Sequence, residues 1–483
     1  MSLTRKLKSA GSWQFFQIIS QVVIQFGYIS IMARLLTKDD FGLMAMAAAF
    51  IGFGVIFSEA GMGAALIQKK EIDHKYINAA FQGSLLLGCI VCLMMYMSSS
   101  MIAGFYNKPE LEMIIKIVSF AVILNSVSSV SRSLLQKSFN FKTTANITVF
   151  VTFISYLFGV ILAYFDYGVW SLVFATLMSS ALMAFIMFLK APVKIELKFY
   201  FEEFKELFYY GFGIVLLGLN NFFSNAGLSL VLGKIFTPSS LGVFERVFVI
   251  KSLPSSYLGN ILDTIMFPAM SEIQNKEKRL FEVYQFSLGL VNSILMPVAV
   301  YLIFYSKEIV LILLGENWLD AIVPLQIMFV MLPLSASGRM ADSVARAKGF
   351  VYKNAFRKFI YVLFLLVMSA LGAKHYGLIG AAIAVTLSYL LNYILMMFLV
   401  KSIFSKKFVD IFISPLLSGV KVSVVVLMLI LISTLILNNY DLGVFYNFFI
   451  SSFFVGVALI LLFWVKPNVY GVYLNELYRK LKG

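Results

Sequence analysis

The sequence predicts an all-α integral membrane protein with about fourteen transmembrane helices. Two parallel six-helix repeats are expected to form two lobes around a central cavity, with two more helices at the C-terminus. Three observations carry this. Apolar residues make up 60% of the 483 and charged residues 13%, with a mean hydropathy of +0.90. Soluble domains carry about twice that charge. The apolar residues come in long runs separated by short basic gaps. Finally, the stretch Gly11 to Gly42 recurs without a gap as Gly211 to Gly242.

A span needs about 20 apolar residues. Runs of that kind lie near 11–35, 41–66, 77–105, 113–135, 144–165, 167–189 and 207–235. Further runs lie near 241–268, 283–306, 319–345, 354–373, 377–400, 413–437 and 443–464. With the N-terminus placed inside, 28 of the 39 Lys and Arg fall in inward segments. The outward loops hold 5, namely Lys38, Lys108, Lys234, Lys307 and Lys374. This bias predicts both termini in the cytoplasm. The first run is long and lacks a small-residue cleavage site, so it reads as a retained span. The connection from Lys190 and the C-terminal tail alternate charges with aromatics and read as amphipathic helices on the inner surface.

The repeat is specific at the residue level. Gly11, Gly27, Thr37 and Gly42 fall on Gly211, Gly227, Thr237 and Gly242. Gln21 and Gln25 fall on Asn221 and Asn225, and Arg34 falls on Lys234. Further along, Tyr167 and Gly168 between spans 5 and 6 match Tyr376 and Gly377 between spans 11 and 12. Six spans per repeat is even, so the repeats enter the membrane in the same direction, related by an axis along the membrane normal.

Polar residues within spans are the candidates for function, because lipid offers them no partner. Gln14, Gln17, Gln21 and Gln25 lie within roughly an 80° arc of one helix. Buried without partners, such amides cost on the order of 1–3 kcal/mol each. They should therefore face protein, water or a polar ligand, as should Asn221 and Asn225. Span 8 carries Glu245, Arg246, Lys251, Pro254 and Asp263. Arg246 and Lys251 suit an anion in a water-filled cavity, and Pro254 is expected to break the helix below them. The plainer alternative is a local Glu245–Arg246 pair with Lys251 reaching for the interface. Arg339, Asp342 and Arg346 at the end of span 10 are spaced three and four apart, on one face. Glu59, near the inner end of span 2, is either a titrating group or a packing partner. Glu59, Asp263 and Asp342 are the ion-coupling candidates.

Other chemistries find little support. The basic residues do not cluster with aromatics on a polar domain, so no nucleic-acid partner is expected despite a net charge of +15. Cys89 and Cys92 sit inside an apolar run without a second pair and read as packed or lipid-facing small residues. With His74 and His375 as the only histidines, both expected in loops, no metal site, cofactor or catalytic triad is expected. No Walker loop or nucleophile elbow is seen, so the chain is not expected to be an enzyme. A drug or metabolite antiporter would call for a more acidic and aromatic interior, and a membrane-bound polysaccharide-assembly enzyme for a large outward loop.

Seven stretches carry a family resemblance. They are ARLLTKDDFGLMAMA from Ala33, SEAGMGAALIQKKEI from Ser58, LLQKSFNFK from Leu134, YGVWSLV from Tyr167, LGVFERVFVIKSLP from Leu241, FPAMSEIQ from Phe267 and GENWLDAIVPLQIM from Gly315. In their order and spacing the chain resembles the polysaccharide transporters, or lipid-linked oligosaccharide flippases, of the multidrug/oligosaccharidyl-lipid/polysaccharide exporter superfamily. The resemblance covers nearly the whole chain. It implies lobes at 1–200 and 201–408, with 409–483 as two additional spans and a cytoplasmic tail. The activity implied is flipping an undecaprenyl-diphosphate-linked oligosaccharide across the bacterial inner membrane for O-antigen, capsule or exopolysaccharide. Implied partners are that lipid-linked substrate, membrane lipids, a polysaccharide polymerase and chain-length proteins. Arg246 sits at the family's span-8 arginine, but Glu245 replaces the small polar residue usual before it. Arg246 is then either free for phosphate or already paired. The substrate-binding candidates are Arg246, Lys251, Arg339, Gln21, Gln25, Asn221 and Asn225.

Overall fold

The computed structural model describes residues 3–465 except Lys70, Phe139, 192–195, Leu197, Ser405, 407–410, Phe412 and 438–443, and within helices some side chains are also outside the description. The described residues are helical throughout, joined by turns. Ten of the helices are long and apolar enough to cross a membrane, or eleven if a pair bent by 44° counts as one span. The chain divides into two compact units, Met1–Glu245 and Arg246–Gly483.

The first unit holds α1 (Leu3–Leu35), α2 (Lys38–Glu59), α3 (Met62–Gln68), α4 (His74–Tyr106) and α5 (Glu110–Val118). It continues with α6 (Phe120–Lys137), α7 (Phe141–Tyr164), α8 (Val169–Lys190), α9 (Phe201–Asn225), α10 (Gly227–Ile235) and the first turns of α11 (Pro238–Glu272). Helix starts follow their caps. Thr37 Oγ accepts the Asp40 N–H at 3.3 Å while the Asp40 carboxylate accepts the Thr37 N–H at 2.9 Å, a reciprocal capping box. At the repeat-matched position Thr237 Oγ accepts the Ser240 N–H at 3.2 Å. Span 2 is interrupted at Ala60 and Gly61, both with positive φ, which separates α3 from α2.

At the centre of this unit α6 packs against α2, α3, α4 and α8. It can do so because its inward face is serine. Ser126, Ser128, Ser129, Ser131 and Ser133 are all buried. Four of them return their hydroxyls to their own helix, Ser126 to the Val122 carbonyl at 2.9 Å, Ser128 to that of Asn125 at 3.0 Å, Ser129 to that of Ser126 at 3.3 Å and Ser133 to that of Ser129 at 3.0 Å. Such back-bonding satisfies a hydroxyl where no water is at hand and leaves the surface thin enough for close helix approach. Gly88 meets Ser126, and Gly63 meets Ser133.

The second unit contains the rest of α11, then α12 (Glu277–Phe304), α13 (Ser306–Leu313), a 3-10 segment (Glu316–Ala321), α14 (Ile322–Phe329) and α15 (Leu332–Ala347). It ends with α16 (Val351–Phe404), α17 (Ser414–Leu437) and α18 (Val444–Val465). Its core is made by Tyr284, Leu288 and Leu295 of α12, Met340 and Val344 of α15 and Tyr393, Met396 and Met397 of α16, all buried. Gly419 of α17 lies against the Asn292 backbone of α12 and holds these two helices close.

The repeat leaves a mark on the backbone. Gly168, between α7 and α8, has φ 53° and ψ −135°. Gly377, inside α16, has φ 59° and ψ −141°. This region is essentially closed to side chains with a Cβ, and the two glycines adopt it at matched sequence positions. At Gly377 it divides the long α16 into the two expected spans.

Three local expectations differ. Pro254 does not break its helix, because α11 runs without interruption from Pro238 to Glu272. No separate surface helix follows Lys190 among the described residues. The charged and aromatic stretch from Phe201 instead forms the first turns of α9, where Phe204, Phe208 and Phe212 pack ring to ring at 5.7 and 6.3 Å. His74 is the first residue of α4 rather than a loop residue, and its Nε2 lies 3.8 Å from Glu196. The tail helix lies outside the described residues. Cys89 is exposed and Cys92 buried, both as free thiols.

Candidate functional site

Inside the second unit, α11, α15 and α16 bring a set of charged side chains together. Lys251 of α11 is 3% exposed. Its ammonium lies 4.0 Å from the ring centre of Phe248 and 4.5 Å from that of Tyr389 on α16. Two aromatic faces thus partly replace the water that the ammonium has lost. Tyr389 packs edge-on to Tyr361 at 5.7 Å and 69°.

Arg339 of α15 comes close enough to repel Lys251. Its Nη2 donates to Ser256 Oγ of α11 at 3.3 Å. The guanidinium stem crosses α11 over Gly259, where an added Cβ would lie 2.8 Å from Arg339 Cδ. The glycine makes the crossing possible.

One turn on, Asp342 accepts from Asn354 Nδ2 at 2.7 Å and from Arg357 Nη2 at 3.4 Å. Arg357 Nε donates to Asn354 Oδ1 at 3.0 Å, and Nη1 donates to Asn392 Oδ1. Arg357 is 7% exposed and Asn354 9%. The Arg357 guanidinium is thus met by amides from two stretches of α16 and by the Asp342 carboxylate, the arrangement a buried guanidinium requires. Lys358 adds a further half-buried cation that feels Asp342 and Arg357, and Arg346 Nη2 donates to Ser343 Oγ at 3.2 Å. Among the described side chains of this cluster the carboxylate is Asp342, while Lys251, Arg339, Arg346, Arg357 and Lys358 are cations. The cluster is net positive.

Of the residues proposed from sequence, Lys251, Arg339 and Asp342 meet here. Arg246 is half-buried one and a half turns before Lys251 and roughly 140° around the helix from it. Glu245 accepts a hydrogen bond from Ser229 of α10. The amides belong to the first unit. Gln21 and Gln25 on α1 are half-buried, with Gln17 Nε2 3.5 Å from Gln21 Oε1. Asn221 and Asn225 on α9 are exposed, and Asn225 Nδ2 donates to the Asn221 carbonyl at 2.8 Å. Glu59 ends α2, half-buried, with Arg132 of α6 as a charge neighbour. The Asp263 side chain lies outside the described residues.

Sequence reasoning missed Asn354, Arg357, Lys358, Tyr389 and Asn392. In the sequence Arg357 and Lys358 read as inner-loop charges. Asn354, Arg357 and Tyr361 are nevertheless three and four apart, a polar stripe running into span 11.

These features define a class, a multi-pass all-helical membrane protein with a partly buried, net-cationic polar cluster. Residues 31–323 match the family described as polysaccharide biosynthesis protein, and the chain belongs to that family. It is 25% identical over 398 residues to the lipopolysaccharide biosynthesis protein WzxC of Escherichia coli K12, covering 81% of this chain and 79% of that one. It is 22% identical to the teichuronic acid biosynthesis protein TuaB of Bacillus subtilis 168, over 72% of each. Among solved structures, the lipid II flippase MurJ in an inward closed conformation superimposes with a TM-score of 0.74 at 17% identity, over 98% of this chain and 99% of that one. An inward-facing multidrug resistance transporter of the MATE family gives 0.66 at 14% identity, over 80% and 96%. At these identities the likeness establishes the fold alone, which the chain shares with these two proteins.

Proposed function

We propose that this protein flips an undecaprenyl-diphosphate-linked oligosaccharide from the inner to the outer leaflet of the bacterial cytoplasmic membrane by alternating access. The product would feed O-antigen, capsule or exopolysaccharide synthesis. The observation that carries the reading is the cationic excess around buried Lys251 and half-buried Arg339 in a member of a polysaccharide biosynthesis family. A diphosphate is the anion such a set suits, with guanidinium forks for paired oxygens and an ammonium as a point charge. Arg246, Lys251 and Arg339 are assigned the diphosphate, and Gln21, Gln25, Asn221 and Asn225 the sugar hydroxyls. Asp342, with Glu59 and Asp263, is assigned to ion coupling. The fourteen-span topology with both termini inside, and the lobes at 1–200 and 201–408, belong to the same proposal.

The test is complementation of a flippase-null strain, scoring surface polymer against protein abundance. Losing a charge-assisted contact costs about 1.5–3 kcal/mol. Lys251→Met, Arg339→Gln and Arg246→Ala should thus each reduce polymer about tenfold or more while membrane insertion stays normal. Arg246→Lys should restore only part, because the bidentate fork is lost. Full polymer from the Arg246→Ala, Lys251→Ala double variant would overturn the assignment.

A further inference from the structure

The repeat-matched glycines Gly42 and Gly242 meet inside the first unit. A Cβ on Gly42 would overlap the Pro238 carbonyl and lie 2.8 Å from Pro238 Cα. A Cβ on Gly242 would overlap the Lys38 carbonyl oxygen, 3.0 Å from its carbon, and come within 3.1 Å of the Gly42 nitrogen. The contact is reciprocal. Each glycine sits against the first residue of the partner helix, α2 against α11, at equivalent places in the two repeats. Both glycines are buried. Backbone lies on backbone here, so no flexible side chain can yield.

Two further contacts belong to the same end. Tyr106 of α4 donates to the Leu230 carbonyl of α10 at 2.9 Å, and Gly233 of α10 lies against Tyr106 and Met46. Met46, one turn into α2 from Gly42, is fully buried. The opposite end of α9 is fastened differently. Gly61 and Gly211 meet there, but beside them Glu206 accepts from Lys69 Nζ and from the Tyr76 hydroxyl, each at 2.6 Å. Exposed ionic contacts of that kind are weak and easily exchanged for water. At the end near Thr37 and Thr237 the α2–α11 crossing itself is held by shape, while beside it Lys234 of α10 donates to the Phe105 carbonyl of α4.

We propose that the Gly42–Gly242 crossing is a steric closure of this end of the molecule, one that shuts only while both positions lack a Cβ and that parts when the protein opens there. Its use in transport rests on the flippase reading, whereas its existence rests on the contact alone. A methyl group at either position keeps α11 from seating on α2 and favours the open form. Because the contact is two-fold, Gly42→Ala and Gly242→Ala should act alike, and the double variant should add little.

The experiment uses the full chain with Cys89 and Cys92 replaced by alanine and one reporter, Met46→Cys, exposed to a small charged thiol reagent in purified, reconstituted protein. Labelling should be slow in the parent and about tenfold faster in Gly42→Ala and in Gly242→Ala, the population shift that ordinary overpacking produces. Gly27→Ala and Gly213→Ala should leave the rate unchanged, since a Cβ at either position meets nothing within 4 Å. A second reporter, Leu111→Cys in the core of the same unit, should stay protected in every variant. Equal Met46→Cys rates in the parent and both glycine variants would overturn the closure. If the glycine variants expose Leu111→Cys as well, a second arm decides. A cleavable crosslinker joining Tyr106→Cys to Leu230→Cys, with native glycines, should stop polymer export until cleaved. Undiminished export through the intact tether would overturn the proposal. Failure of the polymer assay in the parent, with the Met46→Cys response intact, would count against the flippase reading and not against the closure.

Discussion

Helix α6 in the first unit and the start of α16 in the second both bury polar side chains, and they do so by opposite means. Four of the five buried α6 serines satisfy themselves, each of those hydroxyls reaching a carbonyl three or four residues back on its own helix. Asn354 and Arg357 of α16 bond to each other but also need partners elsewhere, Asp342 on α15 and Asn392 a further 35 residues along. A hydroxyl asks for one partner and can find it locally. A guanidinium offers five donors in a fixed fork and cannot. Buried serine in a membrane helix therefore reports close packing, while buried arginine reports a place that tertiary structure had to build. The second kind of place is where function is expected.

The largest predicted effect breaks the network on the α16 side. Asp342→Ala removes the carboxylate from a buried arginine and should cost about 3 kcal/mol. Thermal unfolding followed by size-exclusion fluorescence should show a clear drop in midpoint, reversed in part by Arg357→Met in the same chain. No loss of midpoint would mean that the network is not the organising contact proposed here.

A smaller effect sharpens the comparison between repeats. Gly168→Ala and Gly377→Ala each force a Cβ into a backbone region that costs on the order of 1–3 kcal/mol. The same midpoint assay should record similar losses for both. A loss at one alone would show that the matched sequence positions are not mechanically equivalent.

The smallest effect belongs to α6. Ser129→Ala removes a hydroxyl that bonds within its own helix and should shift stability by less than about 0.5 kcal/mol. Ser129→Leu should be severe, because α6 packs against its neighbours through that thin face.

Much of the architecture was readable because lipid is an unforgiving solvent. A helix must be long and apolar to cross it, and the runs that met this requirement became helices. The matched pair Gly168 and Gly377 was legible for a related reason, since only glycine tolerates the conformation that both adopt. Pro254 misled, because a proline can be carried within a membrane helix whose neighbours re-satisfy the freed carbonyl, and α11 continues through it.

Composition and periodicity thus determined the class of protein, the positions of its apolar runs, the repeat and the polar positions that merit attention, since each follows from one helix meeting lipid. Which charges meet was decided by tertiary structure alone. Arg357 looked like an ordinary inner-loop cation, and Gly42 and Gly242 like ordinary matched glycines. Only the packing of α16 on α15 buries the first against Asp342, and only the crossing of α2 and α11 sets the other two backbone to backbone. Periodicity reports the face a residue occupies on its own helix; contacts between segments tens to hundreds of residues apart depend on how those helices are set against one another, which a single helix does not encode.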